Sequence, residues 1–279
     1  MTPPTVSVYL PTRNRSSLVV EAARSVLDQT FRDLELVIAD DASDDDTPQT
    51  LARLAESDSR VRIVRSSRRL GPSAIRNLAV DVARGHLITG IDDDDLMLPR
   101  RIDDLVRAAA RYDSLICTGF YVERDERRRA LNVPRRTITL DDLFHFNYVG
   151  NQALLQRRKF IEIGGFDENL SASEDYDLWT RVVDRYGPGS RIRPISYVKR
   201  ELPMAGQITG TSIFALGAAQ YAAKYHQRMS AAQRRSQRLI CKIASGTQIL
   251  PGEIPGLLAI QTAPVFFKQF VKQIFFGSK

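Results

Sequence analysis

The chain has 279 residues, of which 43% are hydrophobic and 26% charged, enough to bury a full core as one large domain or one domain with an appendage. Its net charge of +7 favours anionic partners, and no apolar run reaches the roughly 18 residues that a spanning helix requires. Cys117 and Cys241 lie in apolar surroundings without metal-ligand spacing, and Met1-Thr2-Pro3-Pro4 leads directly into a strand. These features predict a reduced, cytoplasmic chain without a signal peptide.

Residues 6–10 form a β-branched and aromatic run ended by Pro11, which predicts a first strand. Ser16 or Ser17 is the expected cap of a helix whose inward face is Val19, Ala22, Ala23, Val26 and Leu27. A second strand over 34–39 runs into a polar turn, Asp40-Asp41 to Asp46. Thr47-Pro48 then supplies a helix cap and first residue. Residues 61–64 predict a third strand. Gly71-Pro72-Ser73 starts a helix that stops at Gly85, and residues 86–91 predict a fourth strand leading into Asp92-Asp93-Asp94-Asp95. Pro99 opens a further helix. Strands and helices alternating in this way predict an α/β fold with a mostly parallel sheet.

From residue 114 the rhythm changes. Strands are expected over 114–123, 151–155 and 192–200, and short helices over 140–146 and 158–163. A charged loop or hairpin tip covers 124–136. Its arginines read as a solvated turn or, more sharply, as a contact for acidic lipid. A longer helix opens at Ser173-Glu174-Asp175 and runs to Tyr186. Beyond about 205 the chain reads as helical and basic, with Glu253 the only acid after Glu201, and it ends in an aromatic, lysine-bearing segment, 251–279. That tail either lies in a membrane interface or packs on the protein, including across a homodimer interface.

Four adjacent carboxylates repel one another, so Asp92–Asp95 either splay into water or hold a cation. Hard divalent cations take such oxygen ligands, commonly together with substrate phosphates. Both acidic turns fall at the carboxyl ends of predicted parallel strands, where ligands bind in open α/β sheets.

The segment Val6-Ser7-Val8-Tyr9-Leu10-Pro11-Thr12-Arg13-Asn14 resembles the opening strand of family 2 inverting glycosyltransferases. Val37-Ile38-Ala39-Asp40-Asp41 resembles their nucleotide-binding turn, and Gly71 with Arg76-Asn77 and Gly85 the next block. Asp92–Asp95 resembles their D-x-D-D element. Gly164-Gly165-Phe166-Asp167-Glu168 and Glu174-Asp175-Tyr176-Asp177-Leu178-Trp179 resemble the acceptor-side block. Gly150-Asn151-Gln152 beside this aspartate run further resembles enzymes that build bacterial O-antigen or capsule repeats.

The resemblance implies a GT-A fold over residues 1–205, with a nucleotide-sugar half (about 1–112) and an acceptor half (113–205) across one central sheet. Residues 206–279 would be a basic helical extension. It also implies transfer of one sugar with inversion, from a UDP-sugar such as UDP-glucose or UDP-galactose. The acceptor would be a glycan hydroxyl, carried on a polyprenyl diphosphate at the inner membrane surface. In this reading Asp94 and Asp95 hold Mn2+ or Mg2+, and Asp92 and Asp93 lie beside them. Asp40 accepts from the uracil, while Pro11, Thr12 and Arg13 lie against the base. Arg76 holds nucleotide oxygens, Asp175 is the general base, and Glu174 and Trp179 flank the acceptor. The Gln-x-x-Arg-Trp element of processive members is not found, which favours single transfer, and His226 is left unassigned. The alternatives are a non-catalytic module for anionic lipid or nucleic acid, and a nucleotidyltransferase. The module leaves the carboxyl-end aspartates without a purpose. The nucleotidyltransferase expects glycines that Pro11-Thr12-Arg13-Asn14-Arg15 lacks.

Overall fold

The computed structural model describes residues 3–131, 136–202, 212–250 and Glu253. The aromatic tail of 251–279, apart from Glu253, and the expected boundary near 205 lie outside the described residues.

Two sheets organise the chain, where a single central sheet was expected. The first has the order β3-β2-β1-β4-β9, with β1 (Val6–Thr12), β2 (Leu34–Asp40), β3 (Val61–Arg65) and β4 (Leu87–Gly90) parallel and β9 (Leu155–Gln156) antiparallel to β4. Side chains alternate across a strand, and here both faces are covered. Val6, Val8 and Leu10 of β1 pack with Val19, Ala22 and Val26 of α1 (Ser16–Leu27), Leu51 of α2 (Thr47–Ser57), and Ile102 and Leu105 of α4 (Arg101–Ala109). Tyr9, Val37 and Ala39 face the other way, onto Ile75 and Ala79 of α3 (Pro72–Val82). Burial on both faces explains why these strands read as continuous apolar runs.

The second sheet has the order β5-β10-β6-β7. Its long members, β6 (Ile116–Arg124) and β10 (Gly189–Arg200), run parallel, and β8 (Thr137–Ile138) pairs with β10. The charged stretch after residue 124 is a hairpin. β7 (Arg127–Leu131) returns along β6 through Asp125 and Glu126, both at positive φ as such tight turns require. The two-residue strand β5 (Leu96–Met97) has too little sequence to announce itself. It follows the aspartates directly and pairs with Tyr197 and Val198, so the turn Asp92–Asp95 spans the two sheets. A bridge between Ile116 and Leu154 links them again.

Other differences are local. Arg15, not a serine, is the N-cap of α1, and Asp46 precedes α2. Neither makes a side-chain cap bond. Within 151–155 only Leu155 belongs to a strand, because the side chains of Asn151 and Gln152 turn toward the acidic turn instead. Helices α5 (Leu140–His145), α6 (Arg157–Glu162) and α7 (Glu174–Tyr186) fall close to their expected positions. Helices α8 (Ser212–Tyr225) and α9 (Ala231–Ala244) pack on the domain: Tyr221 stacks on Tyr176 at 3.8 Å, and Gln237 donates to the Phe144 carbonyl at 2.8 Å. Among the described residues, no helix is long and apolar enough to cross a membrane.

Candidate active site

The four aspartates of the turn do not share one role. The Asp93 carboxylate is buried and accepts from Thr12 Oγ1 at 2.7 Å and from Arg15 Nη1 at 2.6 Å. Burial pushes its carboxyl up to about 6 against the pull of Arg15. Asp95 is also buried: Oδ2 accepts from Tyr197 at 2.8 Å and Oδ1 from the Arg200 backbone N–H at 3.0 Å. The expectation that Asp95 is a metal ligand is therefore corrected. Both its oxygens are committed to the second sheet, and it anchors the turn.

Asp92 and Asp94 remain at the crevice, with side chains 22% and 16% exposed. Asp92 Oδ1 accepts from Arg76 Nη2 at 2.9 Å and from Gln152 at 3.3 Å, and Oδ2 accepts from Asn151 at 3.2 Å. Asp94 pairs with Arg15 at 3.2 Å, and burial followed by the Asp92 charge raises its carboxyl above the ordinary range. A carboxylate whose ionisation is made costlier by a second one beside it suits a hard cation. Among the described residues no group of three or more His, Cys, Asp or Glu side chains forms a protein cage. The donor set therefore fits Mg2+ or Mn2+ held by one or two carboxylates plus substrate phosphate oxygens.

At the end of β2 the two aspartates diverge. Asp41 accepts from the backbone N–H groups of Leu70 and Gly71 at 2.6 and 3.0 Å, fixing the loop that opens α3. Asp40 is 1% exposed; its Oδ1 accepts from Ser43 N–H at 3.0 Å. Its Oδ2 lies 3.2 Å from Arg65 Nε but forms no hydrogen bond. Thr12 is buried with its hydroxyl used by Asp93, whereas Pro11 and Arg13 are half-buried beside it.

Opposite stands the first turn of α7. Ser173 precedes it in a left-handed conformation, φ 62°, which brings Glu174 and Asp175 to the crevice. Arg76 ties the two acidic elements together: Nη1 donates to Glu174 at 2.7 Å while Nη2 donates to Asp92. Burial lowers the Arg76 guanidinium, but the charges of Asp92 and Glu174 outweigh it and hold it above the ordinary arginine range. Arg76 was expected to grip nucleotide oxygens; both its terminal nitrogens instead bridge carboxylates. Asp175 is half-buried, with Asn147 Nδ2 3.4 Å from Oδ2. Burial, then the neighbouring Glu174 charge, pushes its carboxyl up to about 7. Trp179 is fully buried and donates from Nε1 to the Gly150 carbonyl at 2.9 Å. Its expected acceptor contact is corrected: the indole fixes the loop that carries Asn147, Asn151 and Gln152.

Sequence reasoning missed Arg15, Asn147, Tyr197 and Arg200, and gave no role to Asn151 and Gln152 beyond their motif. Each is remote in the chain from the carboxylate it serves, so the signal arises only on folding.

Residues 7–171 match the family described as Glycosyl transferase family 2. WcaA of Escherichia coli (strain K12), a glycosyl transferase assigned to colanic acid biosynthesis, is 33% identical over 193 residues, 66% of this chain and 68% of WcaA. The GalNAc(5)-diNAcBac-PP-undecaprenol beta-1,3-glucosyltransferase of Campylobacter jejuni is 36% identical over 107 residues, 38% of this chain and 35% of that protein. Among solved structures, Staphylococcus aureus TarS 1-349 in complex with UDP-GlcNAc has a TM-score of 0.67 at 15% identity, covering 98% of this chain and 83% of that one. The mannosyltransferase PcManGT from Pyrobaculum calidifontis, in complex with GDP-Man and Mn2+, has a TM-score of 0.60 at 21% identity, covering 99% and 88%. The fold is of the GT-A type that these transferases share, and the chain belongs to glycosyl transferase family 2.

Proposed function

We propose that the protein transfers a single sugar from a UDP-sugar, UDP-glucose or UDP-galactose, to a hydroxyl of a growing surface polysaccharide carried on a polyprenyl diphosphate. The observation that carries this reading is the convergence of two acidic elements in one crevice: Asp92 and Asp94 at the carboxyl end of the parallel sheet, and Glu174-Asp175 at the start of α7, joined by Arg76. The polysaccharide setting is supported by WcaA, and the lipid-linked acceptor by the undecaprenol-linked substrate named for the Campylobacter enzyme.

In this reading Oδ2 of Asp40, which makes no hydrogen bond within the protein, accepts from the uracil ring, with Pro11 and Arg13 beside the base. Asp94, with Asp92 beside it, would hold Mg2+ or Mn2+, which would neutralise the departing diphosphate. Asp175 accepts the proton of the acceptor hydroxyl while its oxygen bonds to the anomeric carbon, and the electron pair of the broken bond leaves with UDP. A carboxyl raised to about 7 is matched to that work. The protein would act at the cytoplasmic face of the membrane, as a peripheral enzyme.

The test is thermal stabilisation by UDP, GDP and CTP, each with and without Mn2+, followed by donor hydrolysis over a panel of UDP- and GDP-sugars. UDP with metal is expected to stabilise the wild type and not Asp94→Ala. Stabilisation by no nucleotide overturns the reading.

A further inference from the structure

Behind the acidic turn, a tyrosine of the first strand is tied to Asp92 through a single side chain. Tyr9 of β1 and Gly90 of β4 are register partners, and Asp92 follows Gly90 by two residues. Because Gly90 carries no Cβ, the Tyr9 ring and the Gln152 side chain can meet there. The Tyr9 hydroxyl lies 3.1 Å from Gln152 Oε1, and Gln152 Nε2 lies 3.3 Å from Asp92 Oδ1. Tyr9 is 2% exposed and Gln152 6%, so little water competes for either bond. Donor and acceptor chemistry fixes the direction of this chain. A carboxylate only accepts, so the amide turns its NH2 group to Asp92 and its oxygen to Tyr9. A tyrosine hydroxyl is protonated at neutral pH, and burial raises the Tyr9 pKa further, so Tyr9 donates to that oxygen. A reversed amide would set its oxygen against the carboxylate.

The hold on Asp92 bears on the crevice because this carboxylate lies there beside Asp94. Its Oδ1 takes two donors, Gln152 and Arg76, and Oδ2 takes a third, Asn151, which together oppose rotation of the group. Gln152 is itself well fixed. Its carbonyl accepts from buried Arg101 at 3.3 Å, and Trp179 holds the Gly150 carbonyl two residues earlier. The remaining freedom is the turn of the amide about its own axis, and the Tyr9 hydroxyl removes it. We propose that Tyr9 is a positioning residue for donor binding: by fixing the Gln152 amide it sets the Asp92 carboxylate beside Asp94. Groups that orient a metal-site carboxylate from behind commonly affect metal affinity as well as stability. Tyr9 touches neither the donor nor the cation and acts only through Gln152. The inference rests on the glycosyl-transfer reading above, since it takes Asp92 and Asp94 to face the diphosphate and its Mg2+ or Mn2+.

The experiment titrates UDP by calorimetry into the full chain, at saturating Mn2+ and again with the metal chelated. The proteins are wild type, Tyr9→Phe, Gln152→Met and the double variant. Tyr9→Phe keeps the ring and removes only the hydroxyl. It is expected to bind UDP roughly tenfold more weakly with Mn2+, and as wild type without it. Gln152→Met should show the same metal-dependent loss, and adding Tyr9→Phe to it should cost nothing further, as for two members of one chain. Wild-type affinity of Tyr9→Phe with Mn2+ overturns the inference. So does an equal loss with and without metal, which a merely structural role would give, and so does a double variant whose loss is the product of the single losses. Should Tyr9→Phe lack a cooperative unfolding transition, unchanged metal-dependent binding by Gln152→Met overturns the inference by itself. Failure of UDP to bind the wild type overturns the nucleotide-sugar reading instead. Mn2+ titrated alone into wild type and Tyr9→Phe then still tests the positioning, and equal affinities there overturn it.

Discussion

Asp175 combines two properties that a base for a sugar hydroxyl needs: access to the crevice and a raised pKa. Its carboxyl reaches about 7, against about 3.9 for an unperturbed aspartate. The folded state therefore binds the proton more tightly than the unfolded chain, and the resulting stabilisation is present at low pH and lost as pH rises from about 4 to about 7. Asp175→Asn removes that loss. Scanning calorimetry is expected to show the variant more stable than wild type at pH 8, by on the order of 1 to 3 kcal/mol, with little difference near pH 4. Catalysis should move the opposite way. Wild-type transfer should fall as pH drops through about 7, and Asp175→Asn should lose on the order of 10²- to 10⁴-fold in kcat, as for removal of a general base. Donor affinity should be retained, and normal turnover by the variant would assign the base elsewhere.

The element that sets the crevice is the segment from β4 through the acidic turn into β5. It leaves the first sheet at Gly90 and joins the second at Leu96, and Asp95 and Tyr197 fasten the crossing. Gly90 is required by close approach rather than by an unusual backbone angle. A Cβ there would collide with the Gln152 side-chain oxygen and the Tyr9 ring, which are themselves hydrogen-bonded to each other at 3.1 Å. Gly90→Ala is therefore expected to destabilise by about 1–3 kcal/mol, the usual cost of overpacking. By displacing Gln152 from Asp92 it should also weaken metal-dependent UDP binding. A chemical-denaturation midpoint and a UDP titration check the two effects separately. The β6–β7 hairpin shows another element-scale device: its exposed arginines blunt an open sheet edge that would otherwise pair with another chain.

At the scale of the whole molecule, the expected division at 205 falls where no residue is described, but the helices beyond it belong to the core on which the site depends. Tyr221 stacks on Tyr176 of α7, Tyr225 donates to Asp177 at 2.8 Å, and Gly217 lets α8 approach the Ala172 backbone closely. Tyr221→Ala is expected to cost about 3 kcal/mol, as large-to-small changes of buried aromatics do. A chain ended at 205 should fail to give a cooperative thermal transition, because the buried face of α7 would be opened to water. The basic aromatic tail poses a separate question about membranes. Liposomes rich in anionic lipid are expected to sediment the full chain and to release a form ending at 249; equal sedimentation of both sinks the membrane role.

Strands, helices and the two acidic turns could be read from sequence, because periodicity and turn chemistry are local. Parallel alternation then placed both turns on the same edge of a sheet, and the resemblance to family 2 motifs suggested the roles proposed for Asp94 and Asp175. Only the tertiary structure decided how the four consecutive aspartates divide, with Asp93 and Asp95 bound inward and Asp92 and Asp94 left to the crevice. It alone turned Arg76 into a bridge and put Trp179 in the core. The physical reason is that a carboxylate's role depends on its partners and burial. Those partners, Arg15, Gln152, Tyr197 and Arg200, lie tens of residues away and meet it only when two sheets close on one turn.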